Sequence, residues 1–62
     1  MRCQYDIILL DSGGAVLHIE TIVSDSATAA SVAGALFDAT AAAMEVEVVS
    51  GFSGRVVFRL RA

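Results

Sequence analysis

The stretch of sequence that decides the fold is SDSATAASVAGALFDATAAAM, residues 24–44. Ser24, Asp25 and Ser26 can accept hydrogen bonds from the free N–H groups of a first helical turn, and Asp25 also places negative charge at the positive end of the helix dipole. The bulkier or apolar residues that follow recur every three or four positions, as on one face of an α-helix: Val32, Ala33, Leu36, Phe37, Thr40, Ala43 and Met44. We therefore expect a helix with one buried face and an outer face of small residues.

Two pairs of strand-like segments flank this helix. Residues 3–10 and 15–23 are rich in branched apolar residues, and residues 45–49 and 56–61 alternate between apolar and charged side chains. A loop at residues 11–13 would join the first pair, with Gly13 in the left-handed conformation that follows a type I turn. Residues 52–54 repeat its Ser-Gly ending and predict a second loop of the same kind. The order of elements is then hairpin, helix, hairpin.

The first loop predicts which residues of its hairpin lie opposite each other. Ile7 is expected opposite Leu17, on an apolar face that also carries Tyr5, Leu9 and Ile19. On the other face Asp6 is expected opposite His18, because a slipped register would place it opposite Glu20, and two like charges repel.

The second loop places Glu47 opposite Arg59 and Glu45 opposite Arg61, so that charged and apolar side chains sort onto separate faces. We therefore predict a single α+β domain over residues 1–62, a four-stranded sheet built from two hairpins with the helix packed on one face (β-β-α-β-β). The strand order is left open. The face under the helix is expected to carry Tyr5, Ile7, Leu9, Leu17, Ile19, Val46, Val48, Phe58 and Leu60.

Composition limits the classes of function. The 62 residues are 56% hydrophobic and 18% charged, which excludes disorder, and such a short chain buries so modest a core that self-association is expected. The net charge of −3 and the absence of lysine argue against direct binding to nucleic acid. Cys3 is the single cysteine, which favours a cytoplasmic setting without a disulfide. A signal peptide and a membrane span are both rejected, because Asp6, Asp11 and Asp38 interrupt the apolar runs.

No residue pattern in the chain predicts an enzyme, a cofactor or a metal site. His18 beside Asp6 and Glu20 could be read as a general base, but such groups are common on solvated sheet faces and no nucleophile accompanies this one. Gly13 and Gly14 mark a turn, since neither a helix nor a lysine follows them as phosphate binding requires.

Three further features carry alternative interpretations. Phe52, at the tip of the second hairpin, is either an exposed binding anchor or folds back over the end of the helix. Gly34, with Ala30, gives a spacing of small residues that favours close packing of the helix on its own sheet over a helix–helix dimer. Arg55, with the arginines of the last strand, forms a basic stripe, for which ion pairing on a solvated face is favoured over a nucleic-acid site.

The pattern from Tyr5 to Gly14 (YDIILLDSGG), followed by a strand, an alanine-rich helix and residues 46–51 (VEVVSG), resembles small uncharacterised bacterial proteins of β-β-α-β-β type. That resemblance carries no functional residues. In size, acidity and lack of an active site, the chain also resembles small acidic phage-type inhibitors such as anti-CRISPR proteins. This second resemblance implies a domain that occupies a nucleic-acid-binding surface of its target with carboxylates facing Arg and Lys.

The sequence therefore predicts a non-catalytic protein-binding module, potentially an inhibitor of that kind. A structural homo-oligomer, such as a homodimer that pairs strand edges or sheet faces, is the alternative. The residues predicted to contact a protein partner are Asp6, His18, Glu20, Glu45, Glu47 and Phe52.

Overall fold

A computed structural model describes residues 2–62. They form one four-stranded antiparallel sheet and one helix. The elements in chain order are β1 (Cys3–Leu10), β2 (Val16–Ser24), α1 (Ser26–Ala39), β3 (Glu45–Ser50) and β4 (Val56–Arg61). The strand order is β2-β1-β3-β4, so the two hairpins join along β1 and β3. This is the predicted β-β-α-β-β fold of the α+β class.

The helix begins where the sequence predicts. Asp25 is the N-cap, in extended conformation, and its Oδ1 accepts a hydrogen bond from the backbone N–H of Thr28 at 2.6 Å. This bond satisfies one of the free donors of the first turn. It also lowers the pKa of Asp25, because the hydrogen bond favours the ionised carboxylate.

The helix ends at Ala39, five residues before the predicted end at Met44. Thr40 closes it: its N–H donates to the carbonyl of Phe37 at 3.3 Å and its hydroxyl donates to the carbonyl of Leu36 at 2.8 Å. The N–H of Met44 already bonds to β1. The last residues of the alanine-rich segment therefore form the turn that returns the chain to the sheet.

The core lies between α1 and the two central strands. Ile7 and Leu9 of β1 and Val46 and Val48 of β3 are at most 1% exposed. The helix presents alanines to them, and this allows its backbone to approach the sheet closely. The buried apolar residues are Tyr5, Ile7, Leu9, Ala29, Ala33, Ala43, Val46 and Val48, with Cys3, Ile22, Val32, Leu36, Phe37 and Phe58 packed around them.

The first hairpin differs from the prediction in both its loop and its register. Asp11 and Ala15 close the loop through a backbone hydrogen bond of 2.9 Å, and Gly14, at φ +82°, takes the left-handed position predicted for Gly13. The register also shifts between Leu9 and Leu10, where Leu17 is the extra residue of a β-bulge. The loop has the predicted number of residues but lies one position further along the chain, which displaces β2 by two residues, and the bulge adds one more.

An odd displacement exchanges the two faces of a strand. Ile7 lies opposite Glu20, not Leu17, and Asp6 lies opposite Thr21, not His18. The prediction that Leu17 and Ile19 lie under the helix is therefore wrong: both are exposed.

The physical reason for this register is the short connection from β2 to α1. Asp25 alone separates the last residue of β2 from the first residue of the helix, so the buried Ser24 must lie at the helix side of the sheet. Counting back from it in steps of two places Ile22, Glu20 and His18 on that side. Ile22 packs against the core there.

The second hairpin has the predicted register. Glu45 lies opposite Arg61 and Glu47 opposite Arg59. Its loop, however, has four residues, 51–54, and not three, with Gly54 in the left-handed conformation at φ +72°. A bulge at Val57 compensates for the additional loop residue and restores the pairing beyond it.

Candidate protein-binding surface

The face of the sheet opposite α1, here called the open face, carries two kinds of surface. Residues that lie opposite each other in paired strands share a face, and Tyr5, Ile7 and Leu9 face the helix, so the intervening residues of β1 face away from it. By register, the open face comprises Gln4, Asp6, Ile8 and Leu10 of β1, Val16, Ile19, Thr21 and Val23 of β2, Glu45, Glu47 and Val49 of β3, and Val56, Arg59 and Arg61 of β4.

In the half of the open face formed by β1 and β2, the end next to the first loop is apolar. Leu10 lies opposite Val16, and Ile8 lies opposite Ile19. Val16 is 54% exposed and Ile19 is 56% exposed. We had expected a mixed face here, with Asp6 opposite His18, Gln4 opposite Glu20 and Ile8 opposite Val16. The displaced register of β2 removes His18 and Glu20 from this face and brings Ile19, Thr21 and Val23 to it.

The half formed by β3 and β4 carries four charges in a ladder, Glu45, Glu47, Arg59 and Arg61, called here the Glu–Arg ladder. The Arg59 guanidinium lies 2.7 Å from Glu47 Oε2 and 3.2 Å from Glu45 Oε2, and Arg61 Nε lies 3.3 Å from Glu45 Oε1. The two glutamate side chains are about one-fifth exposed, whereas the arginines are more open to solvent. Glu45 and Glu47, both predicted to face a protein partner, are therefore already paired with arginines of the same chain.

Asp6, His18 and Glu20, predicted to form one cluster on the open face, are divided between the two faces of the sheet. Asp6 Oδ1 accepts a hydrogen bond from the Thr21 hydroxyl at 2.8 Å, on the open face. His18 Nε2 lies 3.3 Å from Glu20 Oε1, on the helix side of the edge strand β2, where both side chains remain nearly half exposed. The predicted placement of Glu20 on the open face is thus wrong, and the predicted pair of Asp6 with His18 is not formed.

Phe52 is the most exposed large apolar residue in the described part of the chain, at 91%. It does not fold over the end of the helix, which was one of the two expected arrangements. Its loop is held at both ends: Gly54 N–H donates to the Ser50 carbonyl and Ser50 N–H donates to the Arg55 carbonyl, each at 2.8 Å. Gly51 N–H also donates to the Gln4 carbonyl of β1 at 2.8 Å. The phenyl ring is therefore presented to solvent by an ordered loop.

The surface formed by residues 2–62 has no pocket, and no three His, Cys, Asp or Glu residues within that range are grouped as metal ligands. In the same part of the chain, α1 is too short to cross a membrane. Cys3 is partly buried and reduced. The features with potential for recognition are thus the open face and the Phe52 loop, which together contain four of the six predicted contact residues.

The exposed apolar residues of the open face were not predicted as contact residues. The alternation of Leu17, Ile19 and Val23 with His18, Glu20 and Ile22 favours placing the first set in the core. The one-residue connection to the helix start at Asp25 was the signal that could have assigned the faces correctly.

With its fold and surfaces described, the chain belongs to the broad class of two-layer α+β domains with an uncovered sheet face. Comparison with protein-family models, with curated proteins and with solved structures gives no match.

Proposed function

We propose that this chain is a non-catalytic protein-binding module whose anchor is the Phe52 loop. The observation that carries the proposal is an aromatic side chain, 91% exposed, on a loop held by backbone hydrogen bonds at both ends. Aromatic residues are enriched among the few residues that dominate binding energy at protein interfaces. Burial of a phenylalanine side chain in a partner's apolar pocket contributes about 1.5–3 kcal/mol.

The ordered loop strengthens the case for binding. A flexible loop loses conformational entropy when it binds, and an ordered one avoids much of that cost. Besides the backbone bonds, the Ser50 hydroxyl accepts from Ser53 N–H, and the Ser53 hydroxyl accepts from Arg55 N–H, both at 3.3 Å. The loop thus supports a preformed anchor, with Arg55 beside it as an exposed cation.

A finer form of the proposal is an inhibitor of the anti-CRISPR kind that occupies a basic, nucleic-acid-binding surface of its target. The net charge of −3 supports it. This form requires the Glu–Arg ladder to open, because Glu45 and Glu47 would have to leave their own arginines and pair with those of the target. Asp6 and Asp38 carry no ion pair within residues 2–62 and are the carboxylates most free to contribute.

The test is affinity capture from the native host by three immobilised proteins, the wild type, Phe52→Ala and Met44→Ala, with quantitative mass spectrometry. Met44 is also an exposed apolar residue but lies at the opposite end of the sheet, so its substitution controls for a general loss of apolar surface. We expect a partner retained by the wild type and by Met44→Ala and at least tenfold depleted on Phe52→Ala, since tenfold corresponds to about 1.4 kcal/mol.

Equal retention of every specific partner on Phe52→Ala would overturn the anchor. The inhibitor form is tested separately by the salt dependence of capture. Contacts between the carboxylates and a basic target weaken steeply as ionic strength rises, whereas burial of Phe52 does not. Capture that is insensitive to salt would remove the inhibitor form and leave the binding module.

A further inference from the structure

We propose that the open face binds a second copy of this chain, forming a symmetric dimer of sheet packed on sheet. The inference goes beyond the binding module, because it uses the flat face of the sheet and not the Phe52 loop at its end. It starts from Val16 and Ile19 of β2, which are more than half exposed on the open face, whereas Ile7 and Leu9 of the paired strand β1 are buried on the helix side.

The composition of the open face is unusual for a sheet with a helix on one side only. Such antiparallel sheets commonly place polar residues on the solvated face. Here Ile8, Leu10, Val16 and Ile19 form a contiguous apolar group, with Val23 further along the edge strand. A face of this kind is stabilised when another apolar surface covers it.

The charges on the open face favour a copy of the same chain over a strongly charged partner. The Glu–Arg ladder contains two carboxylates and two guanidinium groups, each within 3.3 Å of an opposite charge, so its net charge is zero. Outside the ladder the open face carries one more charge, the Asp6 carboxylate, which accepts a hydrogen bond from the Thr21 hydroxyl. Each copy therefore brings a single negative charge to the face, and a partner needs no large complementary charge. An identical face meets this requirement, because both of its halves, the apolar group and the neutral ladder, are the same on the two sides of a two-fold axis.

The area of the open face sets the expected affinity of the dimer. Four strands about 4.8 Å apart and six residues long, at about 3.4 Å per residue, give a projected face of roughly 400 Å². The relief of the side chains adds to this area, so two copies bury on the order of 1,000 Å², at the lower end for a specific interface. We therefore expect a dissociation constant in the micromolar range. Sheets packed face to face lie about 10 Å apart, which accommodates branched apolar side chains between them.

A dimer would also add to the buried apolar core, which is small in a single copy of this chain. Ile7, Leu9, Val46 and Val48 are the only large side chains within residues 2–62 that are fully buried. Domains of this size often depend on a disulfide, a metal or association for stability. Dimerisation would extend the apolar core through the sheet to its second face.

The experiment is sedimentation equilibrium of the full chain from about 1 µM to about 1 mM, a range that brackets a micromolar dissociation constant. The mass of one copy is 6.4 kDa, and we expect the apparent mass to rise to twice this value. A mass that stays at one copy throughout would overturn the proposal. Growth beyond two copies would overturn the symmetric dimer as well, since an isologous face closes after two.

Substitutions by lysine locate the interface. Ile19→Lys places a charge in the apolar group at a position already exposed in the single copy, and we expect it to remain monomeric. Phe52→Lys makes the same type of change away from the face and is expected to leave dimerisation unchanged. If Ile19→Lys fails to fold, Val16→Lys, at 54% exposure, makes the same test.

A third variant separates face packing from pairing of strand edges, because Ile19 lies on the edge strand β2. Ile8 lies on the central strand β1, which has no free edge. Ile8→Thr retains a branched side chain and is expected to weaken the dimer at least tenfold. A dimer that responds to Ile19→Lys but not to Ile8→Thr would be an edge-paired dimer and would overturn the face-to-face arrangement. The two proposals fail separately. A monomeric chain that still captures a partner through Phe52 would refute only the dimer, and a dimer that captures no partner through Phe52 would refute only the anchor.

Discussion

Substitution of Gly34 by alanine should stabilise the protein. Gly34 lies within α1, and a Cβ added there meets no heavy atom within 4 Å. Glycine in a helix interior costs about 1 kcal/mol relative to alanine, because its unfolded chain is more flexible. With nothing to displace, Gly34→Ala should raise the free energy of unfolding by about 1 kcal/mol, which for a domain of this size corresponds to about 8 °C in melting temperature.

Three other glycines provide controls, because the same substitution by alanine is expected to lower the free energy of unfolding there. Added Cβ atoms at Gly14 and Gly54 also meet nothing within 4 Å, but their φ angles are +82° and +72°, so alanine there should cost about 1–2 kcal/mol. At Gly51 the Cβ would lie 3.1 Å from the carbonyl oxygen of Gln4, and the strands would have to move apart. Of these four glycines, only Gly34 is expected to accept alanine with a gain in stability.

The assay is thermal and urea unfolding followed by circular dichroism, with all four variants and the wild type at one protein concentration, since association raises apparent stability. A melting temperature of Gly34→Ala at or below that of the wild type would refute the reasoning. It would mean that the helix surface at Gly34 contacts something outside the single copy, as in the helix–helix dimer that the spacing of Ala30 and Gly34 also permits.

Three further changes test other parts of the structure. Ile7→Val removes one methyl group from a fully buried position and should cost about 1 kcal/mol, whereas Ile19→Val at an exposed position should change stability by less than about 0.5 kcal/mol; equal losses in urea titrations at micromolar protein would contradict the observed register. Arg59→Met should cost at most about 1 kcal/mol at low salt, and the difference from the wild type should fade near 1 M salt if the Glu–Arg ladder acts through screened charges. The pKa of Asp25 is lower in the folded state than in the unfolded state. The ionised carboxylate therefore stabilises the fold at pH values above the unfolded-state pKa, and this stabilisation is lost as the pH falls through the folded-state pKa. Melting curves of Asp25→Asn, which keeps a capping side chain, should therefore show less loss of stability than the wild type between neutral pH and values below 3.8; parallel pH profiles would rule this out.

The predictable parts of the fold were those set by local chemistry. Asp25 caps the helix because its short carboxylate reaches the first-turn N–H groups, and the second hairpin has the predicted register because opposite charges and apolar pairs agree on it. The helix end at Ala39 was missed, since alanine favours helix equally well on both sides of Thr40 and the tertiary bond of Met44 decides where the chain turns.

The candidate surface was harder to predict, because it depends on one bulge. An extra residue at Leu17 inverts the rest of β2, and no feature of residues 16–20 distinguishes a bulged strand from a regular one. Asp6 lies on the open face as predicted, Glu45 and Glu47 lie there in ion pairs, and Phe52 is exposed. The apolar character of that face was hidden by the choice of register, and the role of these residues as contacts stays a prediction.

The seam between β1 and β3 has a kinetic consequence. Each hairpin closes through a loop of three or four residues, but the seam joins Leu10 to Glu45, 35 positions apart along the chain. Hairpins form in about 1–10 µs, and closing the longer loop costs about 2 kcal/mol more in chain entropy than closing a three-residue one. We therefore expect the seam to form late in folding, so that Ile7 meets Val48 only after the hairpins have formed. On this order each hairpin forms its turn, its bulge and its cross-strand pairs before the core exists, and the short connection from β2 to α1 then holds the first hairpin in its register.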